Sequence, residues 1–310
     1  MTGAERNEAQ SHQYYSQHSV YDHDGGPLRL CNLARLGCAD MKRLNIVVPY
    51  RDREAHLRQF VPHLRAYFAR DKVDREIPYR VLIIEQEKGL PFNRGALKNI
   101  GFVLGREHSD YTAFHDVDYL PIWADYTFAD ALTPIVWYGA EERPIMPGRP
   151  RVLTENMSMF FGAVVLASNE LFAHVDGFAN SYWGWGPEDL DLAYRFMARE
   201  IAPGRRKGTF FPLRHVNEGW QLNGKPTPIS SVNTQLFQAR WGAGQAPTEN
   251  DGLSTLAFEV LQRRSIPDPS PERPASWETV TVRLNMQPRA EQLAAISEAP
   301  TPRESSGDGI

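Results

Sequence analysis

Four continuously apolar runs of strand length punctuate the middle of the chain: LNIVVPY at 44–50, YRVLIIEQ at 79–86, YTAFHDVD at 111–118 and FFGAVVLAS at 160–168. Between them the apolar positions recur three and four residues apart, as on one face of a helix. Leu57, Phe60, Val61 and Leu64 mark the first such face. Leu97, Ile100, Gly101 and Leu104 mark the second, where Gly101 permits a close approach. Strands apolar on both faces must be covered on both, so the pattern predicts an α/β fold: a single mostly parallel sheet flanked by helices. No internal repeat interrupts it. Residues 1–40 are polar without sustained periodicity, and the chain after 285 ends in Pro, Ser, Gly and charge. The expected organisation is therefore a loose N-terminal extension over 1–40, one domain over 41–284 and a disordered tail over 285–310.

Composition narrows the partners. The chain has 310 residues, 42% hydrophobic, which suffices for one large core. A net charge of −4 gives no electrostatic reason to expect nucleic acid or an anionic membrane surface. No apolar run reaches the roughly 18 residues of a transmembrane segment, and the first twenty residues lack a signal peptide's apolar core. Cys31 and Cys38 are the only cysteines, too few for a disulfide framework and without a C-x-x-C metal spacing, which points to a reducing compartment.

In a sheet of this kind the chemistry gathers past the carboxyl ends of the strands. After the first run, Pro49 ends the strand, and Arg51 and Arg53 stand where paired donors could clamp phosphate oxygens; solvated surface arginines are the plain alternative. After the second, Asn93 or Arg94 opens a helix, and Arg94 is a further candidate phosphate or base contact. After the third comes FHDVDYLP, which places Asp116 and Asp118 on one side of an extended backbone. Two such carboxylates repel unless a cation lies between them, and hard oxygens suit Mn²⁺ or Mg²⁺ bridging to a diphosphate.

Residues 182–196 read YWGWGPEDLDLAYRF. Pro187 suits the first turn of a helix, Glu188 and Asp189 sit where the helix dipole favours negative charge, and Leu190, Ala193 and Met197 form the expected inward face. Gly184 and Gly186 let the preceding backbone turn sharply, while Trp183 and Trp185 offer flat faces of the kind that stack on sugar rings. A neighbouring carboxylate could accept a proton from an attacking hydroxyl. Capped helix plus buried tryptophans is the structural alternative.

Taken in order, VVPYRDREAHL, FNRGALKNIGF, FHDVDYLP, FFGAVVLAS, VDGFANSYWGWGPEDLD, RHVNEG and DGLSTLAFEVL resemble the β-1,4-galactosyltransferase family, glycosyltransferase family 7. The resemblance runs from about Leu44 to about Val282, roughly three quarters of the chain. It implies a GT-A-type fold with a Rossmann-like nucleotide-binding half, a UDP-sugar donor, usually UDP-galactose, Mn²⁺ or another divalent cation, a glycan acceptor, and inversion at the anomeric carbon. It further implies donor contacts from Pro49, Tyr50, Arg51, Arg53, Phe92, Asn93, Arg94 and Asp116, with Phe160 shaping the donor-sugar pocket. Trp185 and Gly186 would belong to a mobile loop contacting donor and acceptor, Glu188 would contact sugar, and Asp189 would be the catalytic base. Asp118 and His215 would bind the metal, and the segment after His215 would be a lid.

The chain departs from that family at several positions. Pro212 stands where many relatives have a metal-ligating methionine, which leaves Asn217 as a further candidate ligand. Leu190 interrupts the carboxylates, and Phe160 replaces a common tyrosine. With no membrane anchor or disulfide framework in view, the resemblance suggests a bacterial-type, cytoplasmic member serving polysaccharide synthesis. Transfer of another UDP-sugar on the same fold, or a non-catalytic carbohydrate-binding module, are the alternatives.

Overall fold

The computed structural model describes residues 41–70, 76–140, 153–154, 161–213, 221–222, 225–242, 250–267 and 275–298. The elements in chain order are β1 (Leu44–Tyr50), α1 (Glu54–Arg70), β2 (Tyr79–Gln86), α2 (Arg94–Gly105), β3 (Tyr111–His115), β4 (Tyr119–Trp123), β5 (Thr133–Pro134), β6 (Tyr138–Ala140) and β7 (Leu153–Thr154). They continue with β8 (Val164–Ser168), α3 (Asn169–His174), α4 (Glu188–Met197), β9 (Thr209–Pro212), β10 (Gln221–Leu222), β11 (Lys225–Pro226), α5 (Pro228–Trp241), β12 (Phe258–Ser265), β13 (Ser276–Leu284) and α6 (Ala290–Ser297).

Side-chain alternation along β1 splits the core into two layers. Ile46 and Val48 pack with Phe60, Leu64 and Phe68 of α1. Val47 points the other way, among Leu97 and Ile100 of α2, Phe172, Trp183 and Phe196. Both faces of the sheet are thus covered, as the continuous apolar runs require. The close approach expected at Gly101 is there: a Cβ on it would lie 2.2 Å from Val47 Cγ1.

The main sheet has the strand order β12-β13-β2-β1-β3-β8-β5. Its four central strands are parallel, β1 pairing with both β2 and β3, and β13 with β2. β12, β8 and β5 are antiparallel additions at the edges, and a second sheet runs β4-β9-β6-β7. The expectation of a mostly parallel sheet holds for the centre, but the sheet is not single. An apolar run specifies a buried strand without its direction, which the connection decides. The antiparallel β8 starts at the edge where β3 ends, so that the Asp116 N–H donates to the Ala163 carbonyl at 2.8 Å.

One boundary needs correction. Beyond β13 the chain is not a loose tail from residue 285: α6 forms over Ala290–Ser297, with Gln292 and Ala295 buried. The Gln292 side chain caps its own helix, its Oε1 accepting from the Arg289 N–H at 2.9 Å, and AEQLAAI is rich in helix formers. The extension expected over 1–40 and the residues after 298 lie outside the described residues. Among the described residues no helix is long and apolar enough to cross a membrane.

Candidate active site

Register brings the ends of β1, β2 and β3 to one edge of the sheet. Tyr50 is opposite Glu85, and Val47 opposite Phe114, so the segments 51–53, 87–93 and 116–118 all leave from that edge. Pro49 and Tyr50 are buried in the strand end itself. Arg51 follows, its Nη1 donating to the Leu90 carbonyl at 2.7 Å and its guanidinium 5.3 Å from the Phe92 ring centre, a cation–π contact. Arg51 and Phe92 therefore form one corner, and Arg53, two residues on, is half-buried.

Asn93 is consumed by structure. Its Oδ1 accepts from the Ala96 N–H at 2.9 Å as the cap of α2, its Nδ2 donates to the Asn180 carbonyl at 2.7 Å, and its N–H reaches Gln86 Oε1 at 2.8 Å. It positions the next residue rather than offering a free polar group of its own. That residue, Arg94, connects two acidic segments: Nε donates to Glu188 Oε1, and Nη1 lies 3.3 Å from Asp116 Oδ2.

Lys98, one turn further along α2, was not singled out by the sequence reading. It is only 2% exposed and puts Nζ 3.4 Å from Asp116 Oδ1. The signal was available, since Lys98 stands four residues after Arg94 and so on the same side of a helix whose other residues are largely apolar. The cation that balances Asp116 thus comes from the protein itself. Burial works to raise the Asp116 pKa, but Lys98 and Arg94 outweigh it and hold the carboxyl below its ordinary value. Glu188, only 2% exposed, behaves oppositely: burial pushes its pKa up despite the pull of Arg94.

Asp118 is the second carboxylate of the FHDVDYLP motif, two residues after Asp116. It is half-buried, and its carbonyl accepts from the Leu213 N–H at 2.7 Å, an extension of the β4–β9 pairing in which Tyr119 faces Pro212. Leu213 is two residues before His215. His215, Asn217 and Phe160 lie outside the described residues, and among the described residues no three His, Cys, Asp or Glu side chains converge as a metal site. His115 of the same motif is structural. Its Nδ1 meets the Asp116 carbonyl and its Nε2 the Tyr126 hydroxyl, each at 2.9 Å, and burial lowers its pKa to about 4, so it is neutral. Because a carbonyl only accepts, Nδ1 carries the proton.

The WGWG segment separates its two tryptophans. Trp183 is buried in the α2-side core and is not available to a sugar, which corrects the expectation that both rings form a platform. Trp185 is half-buried in the loop. Gly184, at φ +74°, donates its N–H to the Phe92 carbonyl at 2.7 Å, and this turn joins the loop to the Arg51–Phe92 corner. Gly186 is tight against Asn233, where a Cβ would lie 3.1 Å from Nδ2.

α4 starts at Glu188, and its buried stripe is Glu188, Asp191, Leu192, Ala193, Arg195 and Phe196. The inward face is rotated from the one expected, Met197 being 45% exposed, because Asp191 is the centre of a buried polar cluster. It accepts from Tyr182 Oη at 3.0 Å, Arg195 Nε at 2.7 Å, Arg240 Nη1 at 3.2 Å and Trp241 Nε1 at 3.0 Å. The three carboxylates of EDLD therefore differ in station: Glu188 is paired to Arg94, Asp191 is sealed in, and Asp189 is half-buried at the helix start.

Comparisons with known proteins identify the family. A profile described as the N-terminal region of glycosyl transferase group 7 matches residues 28–128, and one described as the N-terminal domain of galactosyltransferase matches 153–217. Human β-1,4-galactosyltransferase 4 is 37% identical over 229 residues, which are 72% of this chain and 60% of the human protein. Human β-1,4-galactosyltransferase 7 is 28% identical over 230 residues, 72% of this chain and 63% of that protein. The chain thus spans about 60% of the length of the relatives it matches. These relatives come from animals, against the expectation of a bacterial type. Among solved structures, the catalytic domain of Drosophila β1,4-galactosyltransferase 7 with xylobiose matches with a TM-score of 0.58 at 22% identity, over 80% of this chain and 96% of that one. A mutant of that enzyme in complex with manganese, UDP-Gal and xylobiose gives a TM-score of 0.60. At such identity the likeness is one of fold. With the two profiles together spanning more than half of the sequence, the chain belongs to glycosyl transferase group 7, the β-1,4-galactosyltransferase family.

Proposed function

We propose that this chain is an inverting, metal-dependent galactosyltransferase that moves galactose from UDP-galactose to a hydroxyl of a sugar acceptor. The observation that carries the reading is the convergence of four segments on one sheet edge: the Arg51–Phe92 corner, Arg94 with Asp116, Asp118, and the Trp185 loop with Glu188 and Asp189. Family membership and the manganese and UDP-Gal held by the Drosophila relative support it.

In this reading the base and diphosphate of the donor lie against the corner made by Arg51 and Phe92. Arg94 is oriented by Glu188 and Asp116 and so is held in place before the donor arrives. Asp118 offers the hard carboxylate oxygens that suit a divalent ion, and it would hold that ion with His215. The ion would neutralise charge on the departing diphosphate. Asp189 takes the proton of the acceptor hydroxyl at its carboxylate, while Trp185 orients the acceptor and screens the site from water.

The test is a UDP-sugar panel with Mn²⁺ or EDTA on the native protein, Asp118→Asn and Asp189→Asn. Asp189→Asn should bind UDP-galactose normally and transfer on the order of 10²-fold more slowly or worse, the usual worth of a positioned base. Asp118→Asn should lose Mn²⁺ and donor binding together. No consumption of any UDP-sugar, or native transfer by Asp189→Asn, would overturn the assignment.

A further inference from the structure

Neither α5 nor α6 falls within the spans matched by the family profiles, yet each sends a buried side chain to the backbone of the 181–186 loop. Gln292 of α6 is 0% exposed, and its Nε2 donates twice, to Asn233 Oδ1 at 2.7 Å and to the Ser181 carbonyl at 2.8 Å. Asn233 of α5, also 0% exposed, donates twice in turn, to the Trp183 carbonyl at 2.9 Å and to the Trp185 carbonyl at 2.6 Å. With Gln292 Oε1 taken by the Arg289 N–H, every amide hydrogen of the two side chains is engaged. The direction of each link is forced. Backbone carbonyls only accept, so Asn233 must turn its NH₂ to the tryptophan carbonyls and its Oδ1 to α6. Only a donor at position 292 satisfies that oxygen.

We propose that Gln292 is a positioning residue for sugar transfer: through Asn233 it sets the conformation of the 181–186 loop and thereby the station of Trp185 at the acceptor. This rests on the reading of Trp185 as a sugar contact. The physical reason is that a loop with glycines at 184 and 186 has many accessible conformations. Two carbonyls held from one buried amide narrow that set, and that amide is itself oriented from α6. Part of the cost of ordering the loop is thereby met at folding rather than at binding.

The test uses Gln292→Met, which keeps length and volume but removes both donors together with the Oε1 that caps α6, and Gln292→Glu, which keeps a capping oxygen but replaces the donors by an acceptor facing Asn233 Oδ1 and the Ser181 carbonyl. Ala295→Gly is the control, since it weakens α6 without touching the relay. Hydrogen–deuterium exchange of the peptide spanning 181–187 should quicken in Gln292→Met and more in Gln292→Glu, and stay near native in Ala295→Gly. In transfer assays the acceptor KM should rise on the order of fivefold for Gln292→Met, the worth of about one net hydrogen bond, with the donor KM unchanged. Unchanged exchange in both Gln292 variants overturns the relay, as does quickened exchange of equal size in the control. Donor and acceptor KM rising together would reduce Gln292 to a structural residue and overturn the positioning role. A native protein that transfers no sugar refutes the transferase reading, and exchange alone then decides the relay.

Discussion

Asp189 and Asp191 are two residues apart on one helix, and replacing each by asparagine should separate catalysis from stability. Asp191 is fully buried and accepts from Tyr182, Arg195, Arg240 and Trp241, with Arg195 on Oδ1 and the other three on Oδ2. An asparagine fits the space but has one oxygen. Its least harmful orientation keeps the three donors on that oxygen and turns the NH₂ toward Arg195 Nε, donor against donor. Arg195 then keeps only backbone carbonyls, Asp251 O at 2.5 Å and Val175 O at 3.5 Å. Arg240 keeps its ion pair with Asp251 at 2.5 Å. Removing one member of such a buried pair costs about 3–5 kcal/mol, because a charge is left without its counter-ion. Against a total of about 5–15 kcal/mol this is a large fraction. Asp189→Asn, half-exposed at a helix start, loses only a charge–dipole interaction of about 0.3–1 kcal/mol. Guanidinium denaturation at constant slope gives both numbers, and single-turnover transfer per folded molecule gives the other axis. Asp191→Asn should be much less stable yet active when folded; Asp189→Asn should be stable and inactive. A loss under about 1 kcal/mol for Asp191→Asn would refute the buried-charge argument. Native stability with abolished transfer there, beside an active Asp189→Asn, would move the base to Asp191.

Two further outcomes follow from packing and charge. Gly101→Ala should destabilise by about 1–3 kcal/mol although alanine is the better helix former, because the new methyl meets Val47 Cγ1 at 2.2 Å and Cγ2 at 2.8 Å across the α2–β1 contact; an unchanged or raised Tm would show that α2 can slide. Asp251 is opposed by burial, but Arg240, the Ser181 hydroxyl and the Asn180 N–H outweigh that and lower its pKa. A carboxyl whose folded pKa lies below its unfolded value of about 3.9 contributes stability above that pH, and the contribution is lost as pH falls through the folded value. The stability gap between the native protein and Asp251→Asn should therefore be constant near neutrality and close below about pH 4, as measured by denaturation across pH; a gap that persists undiminished in acid would contradict it.

Local pattern alone determined much of this protein. Runs apolar on both faces require strands covered twice, and that placed β1, β2, β3 and β8. The polar residues after those runs could then be assigned to one sheet edge, which is why Arg51, Asn93, Arg94, Asp116 and Asp118 were legible as candidates. Tertiary structure decided what each of them does. Asn93 spends all its polar groups on the cap and loop, and Asp116 is balanced by Lys98, whose burial depends on a helix packing face rather than on any motif. Successive helix residues differ by about 100° in direction, so Glu188, Asp189 and Asp191 face three surroundings that only the packed neighbours distinguish. The same holds for Trp183 and Trp185, one in the core and one in the loop. Least legible was α6: its polar residues and the prolines around it read as a tail, because the value of a buried glutamine lies in Asn233, 59 positions away, and such a pairing exists only once both helices have docked.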